Sequence, residues 1–254
     1  MNPQGGAHLL MAGSYLSYPA WRGCILSGVR YLKKLFSQKP LDFIVCSDGF
    51  IFLMKEKSES GQAVIRFYFY NQLKNKFFRI SEKEYLKIKF GPFFEKIAAD
   101  FGNYVTCKSV FLPDGNIAVM SSRGLLKVYS PEGDVFSSAL LTYQGSYLKC
   151  LISFDKKLWC TVPEKNCVVA YCPYEERVML RIGGGHSGTF NNPNSLEILG
   201  NTLFVTSKDD GKVRKVNLNT LTVSDHLTFE QPAHAFFISG IAEYVILDSG
   251  LYRL

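Results

Sequence analysis

Four histidines provide the side chains best suited to catalysis or metal binding in this sequence: His8, His186, His226 and His234. A neutral imidazole binds transition metals and can exchange a proton near neutral pH. His186 lies in the glycine-rich segment GGGHSG, and His234 follows 48 residues later in EQPAHAFF. No two histidines have the HxH or HExxH spacing of a local metal site. His186 and His234 are therefore candidate catalytic residues only if the fold brings their loops together.

Oxygen ligands for a divalent cation follow the same glycine-rich segment. Asn192, Asn194 and Asp209 are the candidates, because amide and carboxylate oxygens are the ligands that hard cations prefer. Asp209 also lies in a predicted hairpin turn, where Asp is common for turn chemistry alone. The segment lacks the GxxxxGK[ST] pattern of a phosphate loop. We expect no cofactor, with a divalent cation as the alternative.

A basic and aromatic stretch, RFYFYNQLKNKFFR, occupies residues 66–79 and continues to Lys83, Lys87 and Lys89. Its basic side chains could neutralise phosphates while its rings stack on bases, as in RNA-binding proteins. A β-strand at a sheet edge explains the same pattern, because lysines protect such edges from aggregation. We favour the edge strand, and the candidate binding residues are Arg66, Tyr68, Lys74, Lys76 and Arg79.

Composition excludes a disordered chain. The 254 residues are 47% hydrophobic, and 29 basic against 22 acidic residues give a net charge of +7. The seven cysteines include no CxxC pair and several lie in apolar runs, which is typical of reduced thiols in a reducing compartment. No stretch reaches the roughly 18 apolar residues of a membrane span, and no secretory signal is visible. The sequence predicts a soluble, cytoplasmic protein with a basic surface.

A repeat of short strands and turns then indicates the fold. First turns at Gly115, Lys156, Gly200 and Gly240 are separated by 41, 44 and 40 residues, and a second turn follows each after 9 to 11 residues. A period of about 40–45 residues with several short strands is typical of β-propeller blades. An irregular antiparallel β domain is the alternative, because sandwiches also have regularly spaced strands. We predict an all-β propeller in which six blades are favoured and five are possible.

Two segments depart from the repeat. The interval from Gly49 to Gly115 is longer and predicts a short helical insertion near residues 92–101. Residues 1–40 fit the repeat poorly, and the last unit stops after its third strand. We expect one domain over residues 1–254, with a strand of the N-terminal segment, for example within residues 8–16, closing the ring.

Residues 183–218 resemble one NHL repeat. The resemblance is carried by a glycine-rich turn, Phe-x-Asn-Pro, a Gly-Asn turn, Val-Thr and a final G-x-V-R-K strand. The matching residues are, in the same order, Gly183 to Gly185 with Gly188, Phe190 with Asn192-Pro193, Gly200-Asn201, Val205-Thr206 followed by Asp209, and Gly211 with Val213 to Lys215. The usual Asp after Val-Thr is Ser207 here. The resemblance implies a propeller of the NHL or gluconolactonase-like kind, whose members include protein-binding platforms, RNA binders and some hydrolases or lyases. It would also place His186 and His234 on successive loops at one channel mouth.

No complete catalytic set is present, and we therefore predict a non-catalytic scaffold that binds a protein or another macromolecule. A metal-dependent hydrolase or lyase with its site in the central channel is the first alternative. An RNA-binding module that uses the basic residues is the second.

Overall fold

Twenty of the 22 strands form five four-stranded antiparallel sheets in the computed structural model, which describes residues 32–102, 104–185 and 188–254. Each sheet is one blade of a propeller. Strand β1 (Lys33–Phe36) comes first in the chain but belongs to the last blade. The strands of blade 1 are β2 (Asp42–Cys46), β3 (Gly49–Lys57), β4 (Ala63–Asn71) and β5 (Lys76–Ile80).

Two helices separate blade 1 from blade 2. Helix α1 (Glu82–Phe90) begins at Ser81, whose side chain accepts the Glu84 N–H while the Glu84 carboxylate accepts the Ser81 N–H. Helix α2 (Phe94–Phe101) follows. Blade 2 consists of β6 (Lys108–Phe111), β7 (Ile117–Met120), β8 (Leu125–Tyr129) and β9 (Val135–Leu140). Within the described residues, neither helix is long and apolar enough to cross a membrane.

A small hairpin of β10 (Thr142–Tyr143) and β11 (Ser146–Tyr147) leads to the remaining blades. Blade 3 consists of β12 (Lys149–Phe154), β13 (Lys157–Val162), β14 (Cys167–Cys172) and β15 (Arg177–Gly183). Blade 4 consists of β16 (Pro193–Leu199), β17 (Thr202–Ser207), β18 (Lys212–Asn217) and β19 (Val223–Thr228). Blade 5 contains β20 (Ala233–Ser239), β21 (Ala242–Leu247) and β22 (Gly250–Arg253).

Strand β1 completes blade 5 by pairing antiparallel with β22, with Lys33 opposite Arg253 and Phe36 opposite Leu251. Blade 5 therefore combines strands from both ends of the described chain. This pairing covers an edge of β22 that would otherwise expose its backbone N–H and C=O groups. The strand expected within residues 8–16 lies outside the described residues.

Apolar layers between neighbouring blades hold the ring together. Strand β14 is buried along its whole length, because it lies in the middle of its sheet and packs against a blade on each side. Blades 5 and 1 meet through an aromatic layer in which Phe50 is 5.0 Å from Phe237 and 4.9 Å from Tyr244 between ring centroids. Such ring pairs add to the free energy gained from apolar burial alone.

The structure confirms an all-β propeller and sets the number of blades at five, so the favoured count of six is wrong for the described chain. The long interval between Gly49 and Gly115 contains helices rather than another blade. The predicted helix near residues 92–101 corresponds to α2, and α1 precedes it. Lys83, Lys87 and Lys89 therefore lie on α1 and do not continue the strand of the basic stretch.

Candidate functional site

The five candidate binding residues lie along the outer edge of blade 1, on its two outer strands and the turn between them. Arg66 and Tyr68 are on β4, Lys76 and Arg79 are on β5, and Lys74 is in the turn between the two strands. Strand β5 is the outermost strand of its sheet, and four of its five residues are exposed. The exposed residues include two large rings, Phe77 at 36% and Phe78 at 41% exposure.

Tyr68 lies on β4 next to both arginines of this edge. Its ring stacks on Phe52 with 5.6 Å between centroids, and its hydroxyl donates a 2.6 Å hydrogen bond to the Glu56 carboxylate. Burial and this hydrogen bond raise the pKa of Tyr68, while the positive charges of Arg79 and Arg66 act in the opposite direction. The two arginines therefore flank the same phenol.

Strand β1 extends this surface across the junction of blades 5 and 1. The Phe36 ring packs edge-on against Phe77 with 4.7 Å between centroids, and Lys34 lies over the Tyr252 ring at 5.7 Å. We call six basic side chains on these neighbouring outer strands and their turn the basic rim: Lys33, Lys34, Arg66, Lys74, Lys76 and Arg79. No carboxylate among the described residues lies within 4 Å of a charged group of the basic rim.

Positive charge is concentrated in this part of the chain. Residues 33–89 contain 12 Lys and Arg against 6 Asp and Glu, whereas residues 90–254 contain 15 against 16. The positive surplus of the whole sequence is thus absent from residues 90–254 taken together. A surplus confined to one region produces a directional positive potential rather than a uniformly charged surface.

The histidine pair was predicted to meet at a channel mouth. His186 lies outside the described residues. His234 is the bulged residue near the start of β20, and its Nε2 atom is 2.5 Å from Asp248 Oδ1 and 3.4 Å from Lys39 Nζ. The hydrogen bond from His234 lowers the pKa of Asp248. The structure thus gives His234 a carboxylate partner in the turn between β21 and β22 of its own blade.

The candidate oxygen ligands lie nearby in two separate pairs. The Asn192 amide nitrogen is 3.1 Å from both carboxylate oxygens of Asp209, and the Asn194 amide donates a 2.7 Å hydrogen bond to the His234 carbonyl. The first contact lies within blade 4, and the second joins blade 4 to blade 5. Among the residues that the structure describes, no group of three or more His, Cys, Asp or Glu side chains converges as a metal site.

A buried ionic cluster next to the inner strands was not predicted. Asp42, at the start of β2, accepts hydrogen bonds from Lys89 at 2.9 Å, Tyr85 at 2.9 Å and Lys108 at 2.5 Å. Lys89 donates further bonds to the Tyr85 hydroxyl and the Tyr104 carbonyl, so its three N–H groups are all used. Burial alone would raise the pKa of Asp42, but the charges of Lys108 and Lys89 lower it overall.

The same inner layer contains two further groups able to exchange a proton. Burial raises the pKa of Glu197 on β16 to about 7, although its carboxylate accepts backbone hydrogen bonds from Ile198 and Ile238. Burial also raises the pKa of the Cys150 thiol on β12. The positive charge of Lys108 acts in the opposite direction, and the Glu197 carboxylate adds to the increase. Cys150 has a φ of 44°, a conformation uncommon for a residue with a side chain. A carboxyl group that titrates near pH 7 could act as a general acid or base.

No sequence motif marks this inner cluster, because its members are single residues far apart in the chain. The available signal was a charged residue inside an apolar run: Asp42 before FIVC, Lys89 in LKIKF and Glu197 in SLEIL. Charged residues in such runs are buried only when they are paired or neutral. That rule identifies candidates one at a time but does not pair them.

No protein-family profile and no curated protein sequence matches the chain. Among solved structures, it is similar to virginiamycin B lyase from Staphylococcus aureus, with 12% identity and a TM-score of 0.47 over 88% of this chain and 98% of that one. It is also similar to a streptogramin B lyase, with 11% identity and a TM-score of 0.48 over 88% and 96%. A third similar structure is glutaminyl cyclase from Myxococcus xanthus, with 9% identity and a TM-score of 0.47 over 88% of this chain and 94% of that one. The class that the fold defines is a five-bladed β-propeller.

Proposed function

We propose that this propeller is a binding scaffold that engages an acidic segment of a protein partner on the basic rim. One observation carries the proposal: six basic side chains are grouped on neighbouring outer strands without a carboxylate partner among the described residues. Unpaired like charges on one surface repel each other, and an acidic partner relieves that repulsion. Electrostatic complementarity of this kind gives specificity and a fast association rate.

The backbone of β5 favours a polypeptide over a nucleic acid as the occupant. As the outer strand of blade 1, β5 has one edge without a strand partner in its sheet. An extended peptide can add to such an edge through main-chain hydrogen bonds, and its side chains then lie beside those of the edge strand. Acidic residues of the peptide would lie near Lys76 and Arg79, and apolar ones near Phe77 and Phe78.

The proposal is tested with two labelled probes of equal net charge, a glutamate-rich peptide that contains phenylalanine and a single-stranded RNA. Their fluorescence anisotropy is measured with the wild type, with Lys76→Glu/Arg79→Glu, and with the control Lys149→Glu/Lys156→Glu. The control changes two exposed lysines of blade 3 and alters the net charge equally.

We expect the peptide to bind, and the rim variant to weaken its binding by about tenfold or more, because reversal replaces attraction with repulsion. Added salt should weaken binding in the wild type, since exposed charges are screened. Equal losses in the rim and control variants would contradict the proposal. Tighter binding of RNA than of the peptide would favour the RNA-binding alternative instead.

The metal-dependent hydrolase or lyase remains the second candidate, supported by His234 and its hydrogen bond to Asp248. It requires a bound cation, which metal analysis of the purified protein would detect. One equivalent of metal in the wild type that is lost in His234→Ala would favour this candidate over the scaffold. As part of the scaffold proposal, we interpret the sequence of residues 183–218 as an NHL-like repeat. We also propose a cytoplasmic location, which suits the six free thiols among the described residues.

A further inference from the structure

A cavity of about 320 Å³ lies at one end of blade 3, away from the residues of the basic rim. Three parts of the chain form its walls: the tip of the β10–β11 hairpin, the turn between β13 and β14, and Gly184 and Gly185 after β15. The lining includes Gln144, Lys165, Cys167, Arg181, Gly184 and Gly185. A cavity of this size accommodates a small ligand or one group of a larger one.

The glycine-rich wall has a conformation that disfavours side chains. Gly183, Gly184 and Gly185 have φ values of 79°, 91° and 64°. A Cβ on Gly183 would lie 2.7 Å from the Phe190 ring, and one on Gly184 would lie 3.4 Å from the Lys165 carbonyl oxygen. Gly184 and Gly185, which line the cavity, therefore present backbone without side chains, and a ligand can approach it closely.

Two cations face this cavity without a described counter-ion. Neither Arg181 nor Lys165 forms an ion pair with a carboxylate among the described residues. Both lower the pKa of the Cys167 thiol, which burial raises, and both are therefore close to the buried base of the cavity. Glu164 is the one carboxylate in the lining and is exposed. The cavity lining thus offers a guanidinium, an ammonium and the Gln144 amide together with two glycines.

We propose that this cavity is an anion-binding site that takes a phosphate group. A guanidinium can bind a phosphate through two parallel hydrogen bonds, and a lysine adds a second positive charge. The cavity shares no residue with the basic rim and would bind its ligand independently of the partner proposed there. The phosphate can belong to a small molecule or to a phosphorylated peptide, and the experiment distinguishes the two.

The experiment follows the backbone amides of Gly184 and Gly185 by NMR while inorganic phosphate, phosphoserine peptide or AMP is added. The test variants are Arg181→Gln and Lys165→Gln. The control is Arg177→Gln, which changes the same residue type on the same strand. Arg177 differs from Arg181 because Glu175 pairs with it at 2.7 Å. Circular dichroism melting confirms that each variant is folded.

We expect saturable shifts of both amides with phosphate, and binding about tenfold weaker in Arg181→Gln and Lys165→Gln, as for loss of one charge-assisted hydrogen bond. The Arg177 variant should match the wild type. Tighter binding of phosphoserine peptide than of AMP would assign the phosphate to a protein, and the reverse order to a small molecule. Absence of saturation at tens of millimolar phosphate, or an equal loss in all three variants, would overturn the proposal.

Discussion

Replacing the Glu197 carboxyl by an amide should change how the stability of the protein depends on pH. Glu197 lies on the innermost strand of blade 4, and burial raises its pKa to about 7 from an ordinary value of 4.5. In the unfolded chain the carboxyl group regains its ordinary pKa. Between these two values the native state holds a proton that the unfolded state has released.

The sign of the effect follows from this difference. Because the native state binds more protons, its stability falls as the pH rises from about 4.5 to about 7. The shift corresponds to a loss of about 3 kcal/mol once the pH exceeds both values, and of about 1 kcal/mol near pH 5. Glu197→Gln cannot ionise and avoids this loss. Its stability relative to the wild type should therefore improve by about 2–3 kcal/mol between about pH 5 and pH 8.

Urea unfolding of the wild type and Glu197→Gln at several pH values measures this difference. Glu132→Gln is the matched control, because Glu132 is exposed in the turn between β8 and β9. Its stability should follow that of the wild type at every pH. Parallel curves for wild type and Glu197→Gln would refute the reasoning, since they would mean that Glu197 is ionised in the native state across this range.

Three further predictions concern stability and are all measured by urea unfolding. Asp42→Asn should lower the free energy of unfolding by about 3–5 kcal/mol, because Lys89 would remain buried without a counter-charge. An unchanged urea midpoint would exclude a structural ion pair. Gly211→Ala should lower the free energy of unfolding by about 2–4 kcal/mol, since its Cβ would lie 2.4 Å from the Phe229 carbonyl oxygen. A Cβ at Gly200 has open space around it, so Gly200→Ala should lower the same free energy by only about 1 kcal/mol. Equal losses would contradict the steric argument. Phe36→Ala should lower the free energy of unfolding by about 2 kcal/mol, because it removes the packing of β1 where blades 5 and 1 close the propeller. A urea midpoint equal to that of the wild type would show that β1 contributes little to stability.

The blades could be predicted from sequence because hairpin turns are local signals. The paired turns at Gly115 and Gly124, and at Gly200 and Gly211, lie between strands in the structure as the spacing requires. The number of blades could not be predicted with the same success, because residues 82–101 form helices in an interval long enough for additional strands. Ser81 and Glu84 form a capping box, which was a readable signal for the start of α1.

The outer surface was easier to predict than the inner cluster. Arg66 to Arg79 are near each other in the chain, so one pair of strands brings them together. Asp42, Lys89 and Lys108 are separated by 47 and 19 residues, and only the packing of α1 and β6 against blade 1 brings them together. Sequence spacing carries no information about such contacts unless the order of the blades is known.

Docking of a protein partner on the basic rim can be detected by site-specific photocrosslinking in cells. Phe78 on β5 and Phe136 on β9 are both phenylalanines on outer strands, exposed to 41% and 48%. Each is replaced in turn by benzoylphenylalanine, and the crosslinked products are isolated after irradiation. If a protein docks on the basic rim, a crosslinked product that resists ribonuclease should form at position 78 but not at position 136. This product should be lost when Lys76→Glu/Arg79→Glu is added. Equal products at both positions, or a product at position 78 that survives the charge reversal, would contradict docking on the basic rim.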